Sequence, residues 1–248
     1  MNLRNLLFGL TLCSSLASAG EVRIAVAANF TDATKAIAPL FEAATGHTTK
    51  ISYGSTGKLY AQIEHGAPFE VFLAADIQRP EKAEQQGLAI NGTRFVYAQG
   101  KLALWSADPN RFTSGESFLA SGDFSHVALA NPKTAPYGLA ADQVMSHLGL
   151  LEALRAKRVQ GDSIAQTFQF AATGNADAGF VALSQVNAWK GNPGSLWVIP
   201  ADFYAPIEQA AVLLKKGEHN PAAQAYLDFL KSEEAREVIE RFGYGVGD

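Results

Sequence analysis

The sequence predicts an α/β protein of two lobes, each a doubly wound, mostly parallel sheet flanked by helices, the lobes joined by two crossing strands. Three observations carry this. Short, near-continuous apolar runs alternate with helical segments, as in sheets buried on both faces. The alternation starts a second time near the middle of the chain. Two long extended segments, near 95–105 and 196–215, fall where the chain would pass from one lobe to the other.

Val22–Ala27 (VRIAVA) is a β-rich apolar run, and Thr31–Ala44 follows with Ala33, Ile37, Leu40, Phe41 and Ala44 at helical spacing, closed by Gly46. Lys50–Tyr53 reads as a strand, Lys58–His65 as a helix with Leu59 and Ile63 on one face, and Val71–Ala74 as a buried strand. Pro80–Gln86 is a short helix ending at Gly87. Phe95–Trp105 reads as one unusually long strand containing Gly100. Val127–Ala130 is a strand, Leu139–Leu148 and Ser163–Thr173 are helices, and Gly179–Leu183 is a strand. Leu196–Pro200 leads into the extended stretch Ile207–Lys215, and helices Pro221–Lys231 and Glu233–Phe242 close the chain. The expected division is 1–19 signal peptide, 20–98 with 203–248 as one lobe, and 99–202 as the other.

Residues 1–19 carry Arg4, an apolar run Leu6–Leu16 and the A-x-A signal Ala17-Ser18-Ala19, the pattern of a cleavable secretory signal with cleavage near Ala19/Gly20. Cys13, the chain's one cysteine, lies inside this segment, preceded by Leu12 where a lipoprotein anchor wants a small residue. The remainder therefore has no thiol for disulfides, nucleophilic catalysis or metal ligation. Its charge moves from −4 to −5, because Arg4 leaves with the signal and 19 basic residues face 24 acidic ones. That balance argues against a nucleic-acid partner. Beyond the signal no apolar run is long enough to cross a bilayer as a helix.

The chemistry-bearing residues sit where strands hand over to helices. Ligands of doubly wound sheets bind outside the carboxyl ends of the strands, and unpaired N–H groups at helix starts attract anions. Four handovers stand out. The first, Ala27-Ala28-Asn29-Phe30-Thr31, offers an Asn amide and a Thr positioned to cap the helix. In the second, Tyr53-Gly54-Ser55-Thr56-Gly57-Lys58, two hydroxyls lie between glycines that allow close backbone approach to a ligand. This loop lacks the full P-loop pattern. The third, Asn131–Gly138, carries two prolines and Tyr137 beside a helix start, and the fourth, Asp162–Gln166, contains the capping box Ser163-x-x-Gln166. Each is also compatible with a plain capped turn. Together they describe a cleft walled by helix N-termini and neutral donors.

Signs of catalysis are scarce. His47, His65, His126, His147 and His219 lack metal-ligand spacing, and there is no G-x-S-x-G elbow or S-x-x-K serine. Asp76, after the strand ending at Ala74, is the best lone acidic candidate, with turn capping as its ordinary role. A carboxylate pair assembled from separate loops stays open at this level.

Over nearly the whole chain after the signal, the sequence resembles the periplasmic molybdate-binding proteins of bacterial ABC importers. The resemblance rests on Ala25–Thr31 (AVAANFT), Tyr53–Gly66 (YGSTGKLYAQIEHG), Gly66–Asp76 (GAPFEVFLAAD), Ala130–Gly138 (ANPKTAPYG), Gly174–Gly179 (GNADAG) and the Phe229–Gly245 region ending RFGYG. It implies the type II periplasmic binding protein fold and a site for molybdate, with tungstate usually accepted, made of neutral donors without protein–metal bonds. By position it implies Asn29 with Ala28 in the first loop, Thr56 best with Ser55 beside it in the second, Tyr137 in the third and the Ile164 N–H in the fourth. A tyrosine that some relatives carry after the late strand falls here on Ala182, a job the resemblance passes to Tyr137. It implies no cofactor, a monomer in the periplasm, and a membrane permease as partner.

A fully deprotonated tetrahedral dianion offers only acceptors, so a donor-only site suits it, whereas an acidic side chain would repel it. Phosphate keeps a proton near neutrality and can use an acceptor. Sulfate cannot, so its rejection must rest on cavity size. The alternatives are a binder of sulfate, a sugar or an amino acid on the same fold, and a secreted α/β hydrolase or transferase. Trp105, Trp189 and Trp197 lie off the four loops, and the loops contain no Arg, which disfavours sugar and amino-acid sites.

Overall fold

The computed structural model describes residues 19–246. The expected signal segment, apart from Ala19, lies outside the described residues. Two five-stranded mixed sheets flanked by helices form the molecule. In the first, β1 (Glu21–Ala27) pairs in parallel with β2 (Thr48–Gly54) and β3 (Val71–Leu73). The remaining strands are β4 (Phe95–Gly100) and β10 (Ile207–Leu213), in the order β2-β1-β3-β10-β4. The second sheet is built from β5 (Leu102–Ser106), β6 (Val127–Ala130), β7 (Arg158–Gly161), β8 (Ala178–Ala182) and β9 (Ser195–Val198), in the order β7-β6-β8-β5-β9. Each sheet has one reversed strand, β10 in the first and β5 in the second.

Those reversed strands are the ones by which the chain enters each sheet from the other. The single long strand expected over Phe95–Trp105 is two strands separated at Lys101. Gly100 pairs with Ile207 in the first sheet, and Leu102 pairs with Ala182 in the second. The hydrogen-bonding partners change within two residues, so one continuous ladder is impossible. The return passes from Val198 through the 3₁₀ turn Ala201–Phe203 to Ile207.

Other boundaries shift for local reasons. The strand expected over Gly179–Leu183 ends at Ala182, and Leu183 opens α7 (Leu183–Ala188). The helix expected from Leu139 starts three residues earlier as α5 (Pro136–His147), with Pro136 in the first turn where its missing N–H costs nothing. The helix expected from Lys58 is α2 (Thr56–Glu64), and the last extended stretch stops at Leu213. Strand β7 and helix α4 (Gly115–Ser121) escape sequence detection. RVQG has a single β-branched apolar residue, and α4 spans only seven residues.

Helices α1 (Thr31–Thr45), α8 (Pro221–Leu230) and α9 (Glu233–Arg241) cover the first sheet, where Phe30, Ile37, Phe41, Tyr226 and Ile239 join the β1 and β3 side chains in one core. In the second half, α6 (Ile164–Ala172) is held by Trp105 stacked on Phe168 with ring centroids 4.8 Å apart. The second core does not stop at its own sheet: it takes in Ala27, Ala28 and Ala75 from the strand ends of the first. The carboxyl ends of β1 and β3 therefore face the second half across a closed cleft.

The third loop depends on one close approach. A Cβ on Gly138 would meet the Ala130 carbonyl group, its carbon at 2.7 Å, and the Asn131 carbonyl carbon at 3.0 Å, all backbone that cannot swing aside. Gly138→Ala should therefore lower unfolding free energy by about 1–3 kcal/mol, the usual cost of overpacking. Urea denaturation measures this directly.

Candidate functional site

Each sequence-selected loop sits at the cleft, but the side chains divide the work differently from the expectation. In the first loop, Ala28–Phe30 forms a 3₁₀ turn running into α1. Thr31 does not cap the helix. Its hydroxyl donates back to the Ala28 carbonyl at 2.8 Å, and neither helix start has a side-chain cap. The first N–H groups, on Ala28 and Asn29, have no intrahelical acceptor and head the turn toward the second half. The Asn29 amide is not a free donor: Nδ2 donates to Gln209 Oε1 at 2.8 Å and to Tyr244 Oη at 3.1 Å.

In the second loop Ser55 is the N-cap residue of α2, yet its side chain makes no cap bond. Its Oγ is buried with no hydrogen-bond partner. A buried hydroxyl without a partner costs about 1–3 kcal/mol, and Thr134 Oγ1 in the facing third loop is in the same position. Thr56, the better match by resemblance, accepts at Oγ1 from Ala75 N–H at 3.2 Å, which fixes the oxygen and leaves its proton to donate. Gly57 allows close approach of the other half's backbone: a Cβ there would lie 2.9 Å from Thr134 Cα, and its N–H donates to Thr134 O at 2.8 Å.

In the third loop Tyr137 is the second residue of α5 and is almost completely buried. Its Oη accepts from Gln209 Nε2 at 3.1 Å. Burial first, then the neighbouring Tyr244 and Tyr97, hold its pKa well above that of a free phenol, although the Gln209 bond pulls the other way. The hydroxyl therefore stays protonated and able to donate. In the fourth loop only half of the expected capping box forms: Ser163 Oγ accepts from Gln166 N–H at 3.3 Å, but Gln166 Oε1 accepts from Asp162 N–H at 2.7 Å, one residue before the cap. Ser163 caps the third residue of α6 and leaves the Ile164 N–H at its tip.

The halves touch through these same loops. Ser184 Oγ, on α7, donates to Asn29 O at 3.1 Å, and Arg79 Nη2 donates to Lys133 O at 3.1 Å. Lys58 and Asp162 pair at 2.9 Å at the exposed rim. Ala28, Tyr137 and Ile164 share one buried cluster, while Asn29 joins Tyr137 through Gln209. Ser55 is attached to this group through its neighbours Thr56 and Gly57. Asp76 turns away to pair with Arg79, whose backbone N–H its Oδ1 accepts at 3.1 Å, the turn-capping role. Burial raises the Asp76 pKa, with Arg79 opposing. Among the described residues no group of three His, Cys, Asp or Glu side chains could hold a metal ion.

Four polar residues of the site were missed from sequence: Tyr97, Ser184, Gln209 and Tyr244, all buried. Gln209 did leave a signal, as the one polar residue among inward-facing Ile207, Ala211 and Leu213 on alternate positions of a strand. Tyr244 Oη donates to Asn29 O at 2.7 Å and lies 2.9 Å from Ser184 Oγ, which ties the chain's end to both halves. Tyr244→Phe should cost about 1–3 kcal/mol of stability by stranding buried polar atoms, measurable by thermal or urea unfolding of the anion-free protein.

Comparison with known proteins follows the same lines. Residues 22–245 match the model of the family described as bacterial extracellular solute-binding protein. The molybdate-binding protein ModA of Azotobacter vinelandii is 55% identical over 239 residues, 96% of this chain and 94% of that protein. The Rhodobacter capsulatus protein of the same name is 55% identical over 228 residues, 92% of this chain and 89% of its own length. The solved Azotobacter vinelandii periplasmic molybdate-binding protein superposes with a TM-score of 0.88 at 42% identity, covering 92% of this chain and 100% of that one. The sulfate-binding protein SubI of Mycobacterium tuberculosis, 14% identical with a TM-score of 0.78 over 92% of this chain and 88% of its own, shares the fold alone. The two mixed sheets have the periplasmic binding protein architecture, and the chain belongs to the bacterial extracellular solute-binding protein family.

Proposed function

We propose that this protein captures molybdate, and tungstate with it, in the closed cleft and delivers the anion to the membrane permease of an ABC importer. The observation that carries the proposal is the buried, partnerless Ser55 Oγ at a helix N-terminus. Around it stand a protonated Tyr137 hydroxyl and the helix-tip N–H groups of Ala28, Asn29 and Ile164. These groups donate and carry no charge, which fits a ligand that offers only acceptors. The 55% identity to two proteins named for molybdate binding supports the same ligand.

In this reading both second-loop hydroxyls donate: Ser55 Oγ has no other partner, and Thr56 Oγ1 is held by the Ala75 N–H with its proton free. Asn29 contributes its backbone N–H, its side chain being spent on Gln209 and Tyr244. Residues 20–98 with 203–248 form one lobe and 99–202 the other, save that Gln99 and Gly100 complete β4 of the first, and closure over the ion brings the four helix starts together. The protein acts as a monomer in the periplasm after loss of its signal segment. In this reading it binds without catalysis and without a cofactor, as suits a relative of proteins named for molybdate binding. Sulfate, also a dianion without a proton, is rejected by cavity size.

Calorimetric titration with molybdate, tungstate, sulfate and phosphate tests the proposal. Molybdate and tungstate should bind far more tightly than sulfate, and phosphate not measurably. Ser55→Ala and Tyr137→Phe should each cost about 1.5–3 kcal/mol, roughly ten- to hundredfold in affinity, as expected for a hydrogen bond to a charged ligand. Thr56→Val should cost at least as much as Ser55→Ala, because it removes a donor and also strands the Ala75 N–H. Sulfate binding as tight as molybdate, or an unaffected Ser55→Ala, would overturn it. The exposed Lys58–Asp162 pair is worth about 0.2–1 kcal/mol, so Asp162→Asn should change affinity by no more than about fivefold, and less in high salt.

A further inference from the structure

A hydroxyl accepts as readily as it donates, so a donor-only site needs something that fixes the direction of Tyr137. Gln209 stands in the right place. It is fully buried on β10, immediately before the register shift against β4. A chain of hydrogen bonds determines which way its amide faces. Tyr244 Oη gives its single proton to Asn29 O, its shortest contact at 2.7 Å, and is then an acceptor toward the Asn29 side chain. Asn29 must therefore present Nδ2 to Tyr244, and the same Nδ2 meets Gln209 at 2.8 Å. That contact requires the Gln209 oxygen, which also lies 3.1 Å from Tyr97 Oη. The amide nitrogen is left facing Tyr137. A flipped Gln209 would oppose two NH₂ groups.

Once Tyr137 Oη accepts from Gln209, its proton is free, and among the described residues no acceptor takes it. The space is reserved at Gly100, where a Cβ would fall on the Tyr137 hydroxyl and 2.7 Å from Gln209 Nε2. We propose that Gln209 is a positioning residue for anion capture: it holds the Tyr137 hydroxyl in the donor sense and acts on the anion through Tyr137 alone. This rests on the molybdate reading of the same cleft.

A double-mutant cycle read by calorimetric titration with molybdate tests it. Gln209→Met keeps the length and removes both hydrogen-bonding ends. It should weaken binding about tenfold when Tyr137 is present and less than about twofold in the Tyr137→Phe background. Gln209→Glu, which keeps the acceptor for Asn29 and Tyr97, is the second variant should the methionine not fold. Its charge acts in both backgrounds and cancels in the cycle, so an excess loss of about tenfold with Tyr137 present is again expected. Equal losses in both backgrounds would overturn the positioning role while leaving the molybdate site intact. Failure of the unmutated protein to bind molybdate would overturn the reading of the cleft, and the role of Gln209 with it.

Discussion

The proposed capture of a dianion requires binding negative charge without positive side chains. Hydrogen bonds from neutral groups are directional, so every donor must be aimed before the ligand arrives, and each aiming contact must itself be satisfied. The fold meets the first demand through its strands, whose carboxyl ends deliver helix N-termini to one cleft from both halves. It meets the second through a buried network of Tyr244, Ser184, Asn29, Gln209, Tyr97 and Tyr137 that joins the first sheet to helices of the second half. Ser55 Oγ and Thr134 Oγ1, on facing loops, are buried there without a partner.

The same constraint explains how the halves meet. Most contacts across the cleft use neutral groups: Gly57 to Thr134, Ser184 to Asn29, and the apolar cluster around Ala28, Tyr137 and Ile164. The Lys58–Asp162 pair lies at the solvent-exposed rim, where an ion pair contributes little. The apolar cluster favours contact between the halves by burying surface, and the neutral hydrogen bonds fix their register. The net negative charge of the chain belongs to the surface and affects approach of the anion more than its grip.

What the sequence revealed follows from the range of the interactions involved. Alternation of apolar runs and amphipathic helices is local, so β1, α1, β3 and β6 were legible, and so were the four loops between strand and helix. The break at Lys101 was not, because it arises from a change of ladder partner between residues 207 and 182, far along the chain. Thr56 and Ser55 are adjacent hydroxyls in one turn, and only long-range packing distinguishes them: Thr56 Oγ1 accepts from Ala75 N–H, whereas Ser55 Oγ has no partner. The polar network was invisible for the same reason: Asn29 reaches Gln209 and Tyr244 across 180 and 215 residues of sequence. A buried glutamine in a strand whose other buried residues are all apolar was the one local trace of it.

The central claim is that a fully deprotonated dianion is held by neutral donors alone. Calorimetry of molybdate binding at pH 7 in two buffers of very different ionisation enthalpy tests it most directly. The account predicts the same binding enthalpy in both, because neither the ligand nor the site gains or loses a proton. A buffer-dependent enthalpy amounting to about one proton taken up or released per anion would contradict it, since a titrating group would then belong to the site.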